Sequence, residues 1–396
     1  MDVKTAFLYG DLKEDIYMAV PDGVKANQGM VCKLQKSLYG LKQSPRCWNE
    51  RLNGQLLKMG FTRSSHDYCL YTKCTPGDEL IIVIYVDDLL IAGRKLTSIV
   101  RLKKELSAVF KMTDCGEANY FLGMKLMYNR EEGTLRLSQE AQVTKILQRF
   151  DMVNCNSCKT PMEKGLQLKR DGPSTKEPYR EVLGSMMYTM LCVRPDICYP
   201  VSYMGRFQQN PADHHWQTLK RIVRYLQGTQ GLCLEYRREE AAEPLVGFAD
   251  ADWAADTEDR KSVSGYLFKV FGATVSWSSK KQTTVATSSS EAEYVALSAA
   301  ASEAIWLTGI LEDLKITVKP VIIYEDNRGC IGMAKNRETK RSKHIDVKHH
   351  FLRDHVEAGR LQIEPVSSQD QLADMLTKAL DTSRFRDLRR SLGLND

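Results

Sequence analysis

The 396-residue chain is 43% hydrophobic and 27% charged with a net charge of +6, a composition able to bury real cores over two or three domains. The mild positive excess permits an anionic partner without demanding one. No window of roughly eighteen apolar residues would span a membrane, the start "MDVKTAFLYG" lacks a secretory signal's basic region and apolar core, and the eleven scattered cysteines read as reduced thiols, so an intracellular setting is expected.

In chain order, "EDIYMAVPDG" and "GMVCKLQKSLYG" read as short strands ended by Pro and Gly, and "SPRCWNERLNGQLLKMG" as a helix stopping at Gly60. "CLYTKC", a Pro-Gly-Asp turn and "ELIIVIYVDDLLIAG" predict strand, turn, strand, with Asp87 and Asp88 at a second turn. A helix in "LTSIVRLKKELSAVF", a hairpin around "REEG" and a helix in "QEAQVTKILQRF" follow. A polar, Pro/Gly-punctuated stretch from Cys155 to Thr175 resembles a linker, Tyr179 to Gln227 is mostly helical, and the charged tract "RREEAAEP" marks a second boundary. Then come three strands, "LVGFADAD", "SGYLFKVF" and "ATVSWSS", and a long helix from Ser290 to about Leu314. The strand "VIIYED", the helix "NRGCIGMAKN", a basic stretch, the strand "LQIEPVSS" and the helix "QLADMLTKAL" complete a mixed α/β pattern. Cys155 and Cys158 form a lone C-x-x-C with no second pair at zinc spacing.

Two adjacent aspartates inside an apolar run repel each other, and burying them unpaired is costly. A metal ion would resolve that cost, and a third carboxylate should then come from elsewhere; Asp2 is the candidate. On two residues alone a β-turn is the simpler account, because aspartate favours turns.

The motifs "MDVKTAFLYGDL", "KSLYGLKQSPRCWN", "IYVDDLLIAG" and "YFLGMKL", followed by "ADADWAADTEDRKSVSGYLF", "SSSEAEYVALSAAASEAIWL", "YEDNRGCI", "SKHIDVKHHFLRDHV" and "QLADMLTK", cover nearly the whole chain in order. Together they resemble the reverse transcriptase and ribonuclease H region of copia-type LTR retrotransposon polyproteins. The resemblance makes Asp2, Asp87 and Asp88 the metal-binding triad of a polymerase palm, holding two Mg²⁺ or Mn²⁺ ions. It sets Phe7 as a gate beside the sugar 2′ position, against the plainer alternative of core packing. It lays Gly40, Lys42, Gln43, Ser44 and Pro45 along the template and incoming nucleotide. It also places Met1 at an internal position, with a fingers region expected upstream. A fragment, a truncated gene model or a decayed copy, impaired in synthesis by itself, is therefore expected.

For the second part the resemblance implies a two-metal site at Asp250, Glu293, Asp326 and Asp374. Their predicted places, at strand ends and helix starts, agree with one edge of an α/β sheet. Each has a plainer alternative. Glu293 could sit in a capping box with Ser290, although Ser288 and Glu291 have the same spacing. Asp326 could cap the helix starting at Asn327. Asp374 could be a surface acid. Asp252, two residues from Asp250, faces the same way on a strand and competes with it as first ligand. No histidine precedes Asp374 in "EPVSSQDQLAD", which leaves product release to the metals or to Ser367 and Ser368.

Lys335, Arg337, Lys340, Arg341, Lys343 and Lys348 form a basic stretch suited to phosphates, with a solvated loop as the alternative. Its histidines, His344, His349, His350 and His355, lack a cysteine for a zinc site.

The expected fold class is α/β (α+β): a partial polymerase palm and thumb over 1–165, a helical connection over 166–243, a ribonuclease H-like mixed five-stranded domain over 244–380, and a C-terminal tail over 381–396. The expected partners are an RNA template, a DNA primer, RNA–DNA hybrid, deoxynucleoside triphosphates and the remaining Pol or Gag segments, in a cytoplasmic virus-like particle or the nucleus. The alternatives are a remnant with ribonuclease H activity only or none, and a hybrid-binding protein without catalysis.

Overall fold

A computed structural model describes residues 1–25, 27–238, 242–318, 320–335 and 346–395, the side chains of 346–349 excepted. The chain divides into two compact units, 1–118 with 313–315, and 119–312 with 316–396. Both helices and sheets are present in each, as the α/β expectation requires.

In the first unit the alternating run 78–93 folds into a hairpin of two strands, Asp78–Tyr85 and Asp88–Gly93. Ile82, Ile84 and Leu89 point into the core with Trp48, Leu52 and Leu56 of the helix Ser44–Lys58 and with Leu102 and Leu106 of the helix Leu96–Ser107. The two-residue strand Asp2–Val3 lies between Asp88–Gly93 and Met112–Thr113 in a six-stranded sheet. Tyr17–Ala19 and Val31–Lys33 pair by themselves.

In the second unit the strand order is Ala273–Lys281, Val263–Val270, Val246–Ala251, Val321–Glu325, Leu361–Pro365. The first three are antiparallel and the last two join in parallel, the mixed five-stranded sheet expected of a ribonuclease H-like fold. Successive residues of a strand face opposite sides. Phe268 accordingly enters one core with Tyr294, Leu297 and Ala301 of the helix Ser289–Asp313, while Leu267 enters another. That helix is long and apolar enough to cross a membrane by composition, but its Ala292, Ala296, Ala300 and Ala304 are fully buried against the sheet and its neighbours.

The second face of this sheet is covered by residues far from it in sequence. Val263, Leu267 and Leu376 share a core with Ile146 and Leu147 of the helix Glu140–Arg149, Met186 and Leu219 of the helices Tyr179–Cys192 and Asp213–Gln227, and Phe385 and Leu388 of the helix Thr382–Ser391. A further sheet runs in the order Leu394–Asn395, Cys233–Arg237, Thr134–Ser138, Met124–Asn129, Tyr120–Phe121. Residues expected in the palm and thumb, the connection and the tail therefore build one sheet and one core. A piece cut at 245–380 would leave Val263 and Leu267 exposed, so independent folding of that piece is not what the packing supports.

"QLADMLTKAL" differs from its expected helix: it forms a five-residue 3-10 turn, Leu372–Leu376, and the last helix is Thr382–Ser391. Tertiary contacts outrank helix propensity here. The Gln371 side chain donates to Ala249 O at 2.8 Å and accepts from Ala373 N at 3.2 Å, and all five turn residues are buried.

Candidate active sites

The first carboxylate centre is assembled by backbone pairing. Asp2 lies opposite Asp88, Val3 N donates to Asp87 O at 2.9 Å, and Leu89 N donates to Met1 O at 2.8 Å. Val86 and Asp87 make the two-residue turn, and Val86 has a φ of 56°. A β-branched residue is strained in that left-handed region. The turn is braced by the Trp48 indole, which donates to Val86 O at 2.6 Å. All three acids are half-buried. Burial first, then Asp87 and Asp2, pushes the Asp88 carboxyl above its ordinary range. The three share one strand edge, yet among the described residues they do not form the tight acidic cluster seen in the second unit.

Phe7 sits in the 3-10 turn Ala6–Tyr9, packs beside the core and meets Tyr39 at 4.8 Å between ring centroids. Gly40 takes a φ of +95°, which glycine tolerates and other residues rarely adopt. Gln43 precedes the helix Ser44–Lys58, Pro45 lies in its first turn, and Lys42 is exposed. Ser44 is fully buried and its hydroxyl donates to Leu38 O at 2.5 Å, so this serine anchors the loop from within.

The second centre is tighter. One carboxylate oxygen each from Asp250, Glu293 and Asp326 lie within 4.8 Å of one another. Asp250 is the last residue but one of its strand and pairs with Gly265. A Cβ at Gly265 would stand 2.7 Å from Thr377 Cγ2 and 2.8 Å from Leu376 Cβ. Only glycine lets the turn that carries Asp374 lie against this strand. Glu293 lies just past the first turn of the helix Ser289–Asp313 on its buried side, while Glu291 is the acid of the first turn itself. The local alternatives resolve in detail. Glu291 N donates to Ser288 Oγ at 3.2 Å and Glu291 Oε2 accepts from Thr287 N at 2.6 Å, so capping engages Glu291 and leaves Glu293 out. Asn327 Oδ1 accepts from Cys330 N at 2.9 Å, so Asn327 rather than Asp326 caps the helix Arg328–Lys335. Asp374 is buried, not a surface acid. Asp252 turns aside, its Oδ1 accepting from Val263 N, and stands outside the acidic trio.

Burial dominates the electrostatics. It pushes the Asp250 carboxyl up to about 7, with Lys378 opposing and Asp374 adding to the rise. It pushes Glu293 up to about 11, helped by Glu325, Asp250 and Asp326. Glu293 Oε2 and Glu325 Oε2 are buried without a hydrogen-bond partner.

Five residues around this centre escaped the sequence reading. Glu325 is fully buried, and its Oε1 accepts from Asn327 N at 3.0 Å. Thr377 Oγ1 donates to Asp250 Oδ2. Lys378 Nζ lies 2.7 Å from Asp374 Oδ1 and 3.7 Å from Asp250 Oδ2. Arg384 Nη2 lies 2.5 Å from Asp374 Oδ2. Gly265 makes the close approach described above. The block "QLADMLTK" held a signal for Thr377 and Lys378, since both follow Asp374 within four residues. Ser368, expected near product release, donates to Asp326 Oδ2 at 2.7 Å, while Ser367 donates to Asp370 Oδ2 at 2.7 Å.

In the basic stretch, Lys335 is exposed and lies 3.7 Å from Glu364. Arg337, Lys340, Arg341 and Lys343 lie outside the described residues, as does the side chain of Lys348 on the helix Asp346–Glu357.

The Glu293 environment gives a stability test. The folded state keeps this proton up to about pH 11, whereas an unfolded glutamate loses it near about 4.3. The folded state thus binds more protons across that window, and ion-free stability falls as pH rises through it. Glu293→Gln removes this dependence and is expected to stabilise the ion-free protein by roughly 1–3 kcal/mol at pH 8. Thermal unfolding in chelator at pH 6 and pH 8 checks it. The gain must be larger at the higher pH; an equal gain at both would contradict the argument.

Fold and sites together define a two-unit α/β protein with carboxylates gathered at the edges of two separate sheets. Residues 1–164 match the family model for reverse transcriptase (RNA-dependent DNA polymerase). The chain is 40% identical over 409 residues to the retrovirus-related Pol polyprotein from transposon TNT 1-94 of Nicotiana tabacum, covering 100% of this chain and 31% of that polyprotein. It is 34% identical over 304 residues to the putative transposon Ty5-1 protein of Saccharomyces cerevisiae, covering 75% of this chain and 98% of that protein. A solved ribonuclease H1, LC11, aligns with 34% of this chain and 93% of its own at 16% identity and a TM-score of 0.28. The chain belongs to the copia-type retrotransposon Pol polyproteins, an RNA-directed DNA polymerase family, and spans under a third of the tobacco polyprotein.

Proposed function

We propose that the chain hydrolyses the RNA strand of RNA–DNA hybrids at Asp250, Glu293, Asp326 and Asp374, and that Asp2, Asp87 and Asp88 serve RNA- and DNA-templated DNA synthesis. The observation that carries the first part is the trio of carboxylates within 4.8 Å, Asp250 and Glu293 buried and Asp326 half-buried, with Glu293 Oε2 lacking a hydrogen-bond partner. An all-oxygen, strongly anionic donor set with an orphaned oxygen fits hard divalent cations, Mg²⁺ or Mn²⁺, two per centre. When bound, such ions supply an activated water and charge stabilisation of the leaving 3′ oxygen.

The chain's own residues do the rest. Burial concentrates the field of the acids by excluding water around them. Thr377 orients Asp250, Ser368 orients Asp326, and Arg384 holds Asp374 from the side opposite Lys378. Lys335, with Arg337, Lys340, Arg341, Lys343 and Lys348, supplies charge for the phosphates of the hybrid, a contact that reads backbone and not sequence. In the first unit, Phe7 would exclude a ribonucleotide 2′-hydroxyl by contact, and residues 40–45 would line the template and the deoxynucleoside triphosphate. The setting proposed for this work is a cytoplasmic particle or the nucleus, with other Pol and Gag segments as partners.

The test uses the full chain with a labelled RNA–DNA hybrid and, separately, a DNA primer on an RNA template, each with Mg²⁺ or Mn²⁺. Hybrid cleavage is expected, with primer extension weak at most; Asp87→Asn should remove what extension there is and leave cleavage. Hybrid binding without cleavage in either metal would instead support the non-catalytic alternative.

A further inference from the structure

The two halves of the second centre are built differently. Among the described residues, Glu293 and Asp326 have no lysine or arginine at ion-pair distance. The Asp250–Asp374 half, in contrast, is already bridged by a cation: Lys378 Nζ stands 2.7 Å from Asp374 Oδ1 and 3.7 Å from Asp250 Oδ2. Placement is enforced from the backbone. Thr377, the residue before it, bonds Asp250 through its hydroxyl and also donates to Asp374 O at 3.1 Å. Lys378 itself lies one helical turn beyond Asp374. Its side chain is 45% exposed, so the flexible stem has an open route to solvent.

We propose that Lys378 is a built-in counter-ion of this centre, holding the Asp250–Asp374 pair together until a divalent cation enters and displaces its ammonium. The inference rests on the proposed metal-dependent reading of the site and adds an order to it. A cation binding at the Asp250–Glu293–Asp326 trio finds two ligands, Glu293 and Asp326, with no cation at ion-pair distance, whereas one binding between Asp250 and Asp374 must compete with Lys378 for both of them. The second cation is therefore the weak one. Arg384 cannot take over the lysine's part, because it holds the other oxygen of Asp374 and makes no contact with Asp250.

The experiment titrates Mn²⁺ into the full chain by calorimetry and by counting free Mn²⁺ with electron paramagnetic resonance. All proteins carry Asp87→Asn and Asp88→Asn so that the first unit contributes no ions. The reference chain is expected to bind one ion tightly and a second at least about tenfold more weakly, as a unit positive charge a few ångströms away requires. Lys378→Met should tighten the second ion by about tenfold or more and leave the first within about threefold. Lys378→Arg, which keeps the charge, should behave as the reference. Lys378→Gln repeats the comparison should methionine prevent folding. An unchanged or weaker second ion in both neutral variants overturns the proposal while the metal-dependent reading stands. Binding unaffected by Asp326→Asn, or no ion bound by any protein, overturns both.

Discussion

Asp326→Asn is expected to lower cleavage of the RNA strand by about a thousandfold or more, because it removes a ligand charge worth several kcal/mol of transition-state stabilisation and each 1.36 kcal/mol is tenfold. The substitution keeps size and shape, and the asparagine can still meet the Ser368 hydroxyl that now donates to Asp326 Oδ2. The fold should therefore survive. Hybrid binding comes from phosphate contacts elsewhere and should change by less than about twofold, with its salt dependence retained. Cleavage and binding are measured on the same preparations, across both metals. Equal cleavage by variant and parent would remove Asp326 from the metal role. Loss of binding together with cleavage would assign it a structural part instead.

The second large effect comes from a buried ion pair that belongs to neither carboxylate centre. Arg194 and Asp196 form a bidentate pair at 2.9 and 2.8 Å with side chains 1% and 0% exposed. Tyr225 donates to Asp196 Oδ2 at 2.5 Å, and Arg194 also reaches Thr229 O at 3.0 Å and Thr229 Oγ1 at 2.8 Å. Burial opposes the charge on Arg194, but Asp196 outweighs it and holds the guanidinium strongly protonated. Asp196→Ala leaves that cation buried and unpaired, which costs about 3–5 kcal/mol. The unfolding midpoint should fall by roughly 10 °C. The double variant Arg194→Met, Asp196→Leu removes both charges and should recover most of the loss, since a buried pair is often replaceable by apolar residues of similar volume. Urea unfolding of the parent and both variants decides the matter. A double variant no better than Asp196→Ala would mean that the pair is needed for shape rather than charge balance.

This cluster is one of several features joining segments that the sequence separates. Tyr225, which caps Asp196, also packs edge-on against Phe385 at 5.6 Å in the last helix. The linker-like composition of 155–175 and the charged tract at 237–244 suggested boundaries, yet Val143, Leu219, Leu267 and Phe385 share one core across them.

Local periodicity was enough for most elements. The alternation in 78–93 produces the hairpin that presents Asp87 and Asp88, and the run of small residues from Ser289 produces the buried helix that presents Glu293. Those patterns are local, since a period of two or of 3.6 is written in consecutive residues. The motif resemblance then named the four acids of the second unit, and three of them converge as a trio. What the sequence by itself determined, then, was the family, the succession of elements and the acids at their ends. The tertiary structure alone decided which acid of the Asp250–Asp252 pair faces the trio, that Lys378 stands between Asp250 and Asp374, and that Leu394–Asn395 completes a sheet with Cys233–Arg237 and residues 120–138. The last two depend on partners more than 100 residues apart, Lys378 with Asp250 and Leu394 with Leu234, brought together by burial of shared apolar faces, and burial of that kind is blind to sequence separation and leaves no periodic trace in the chain.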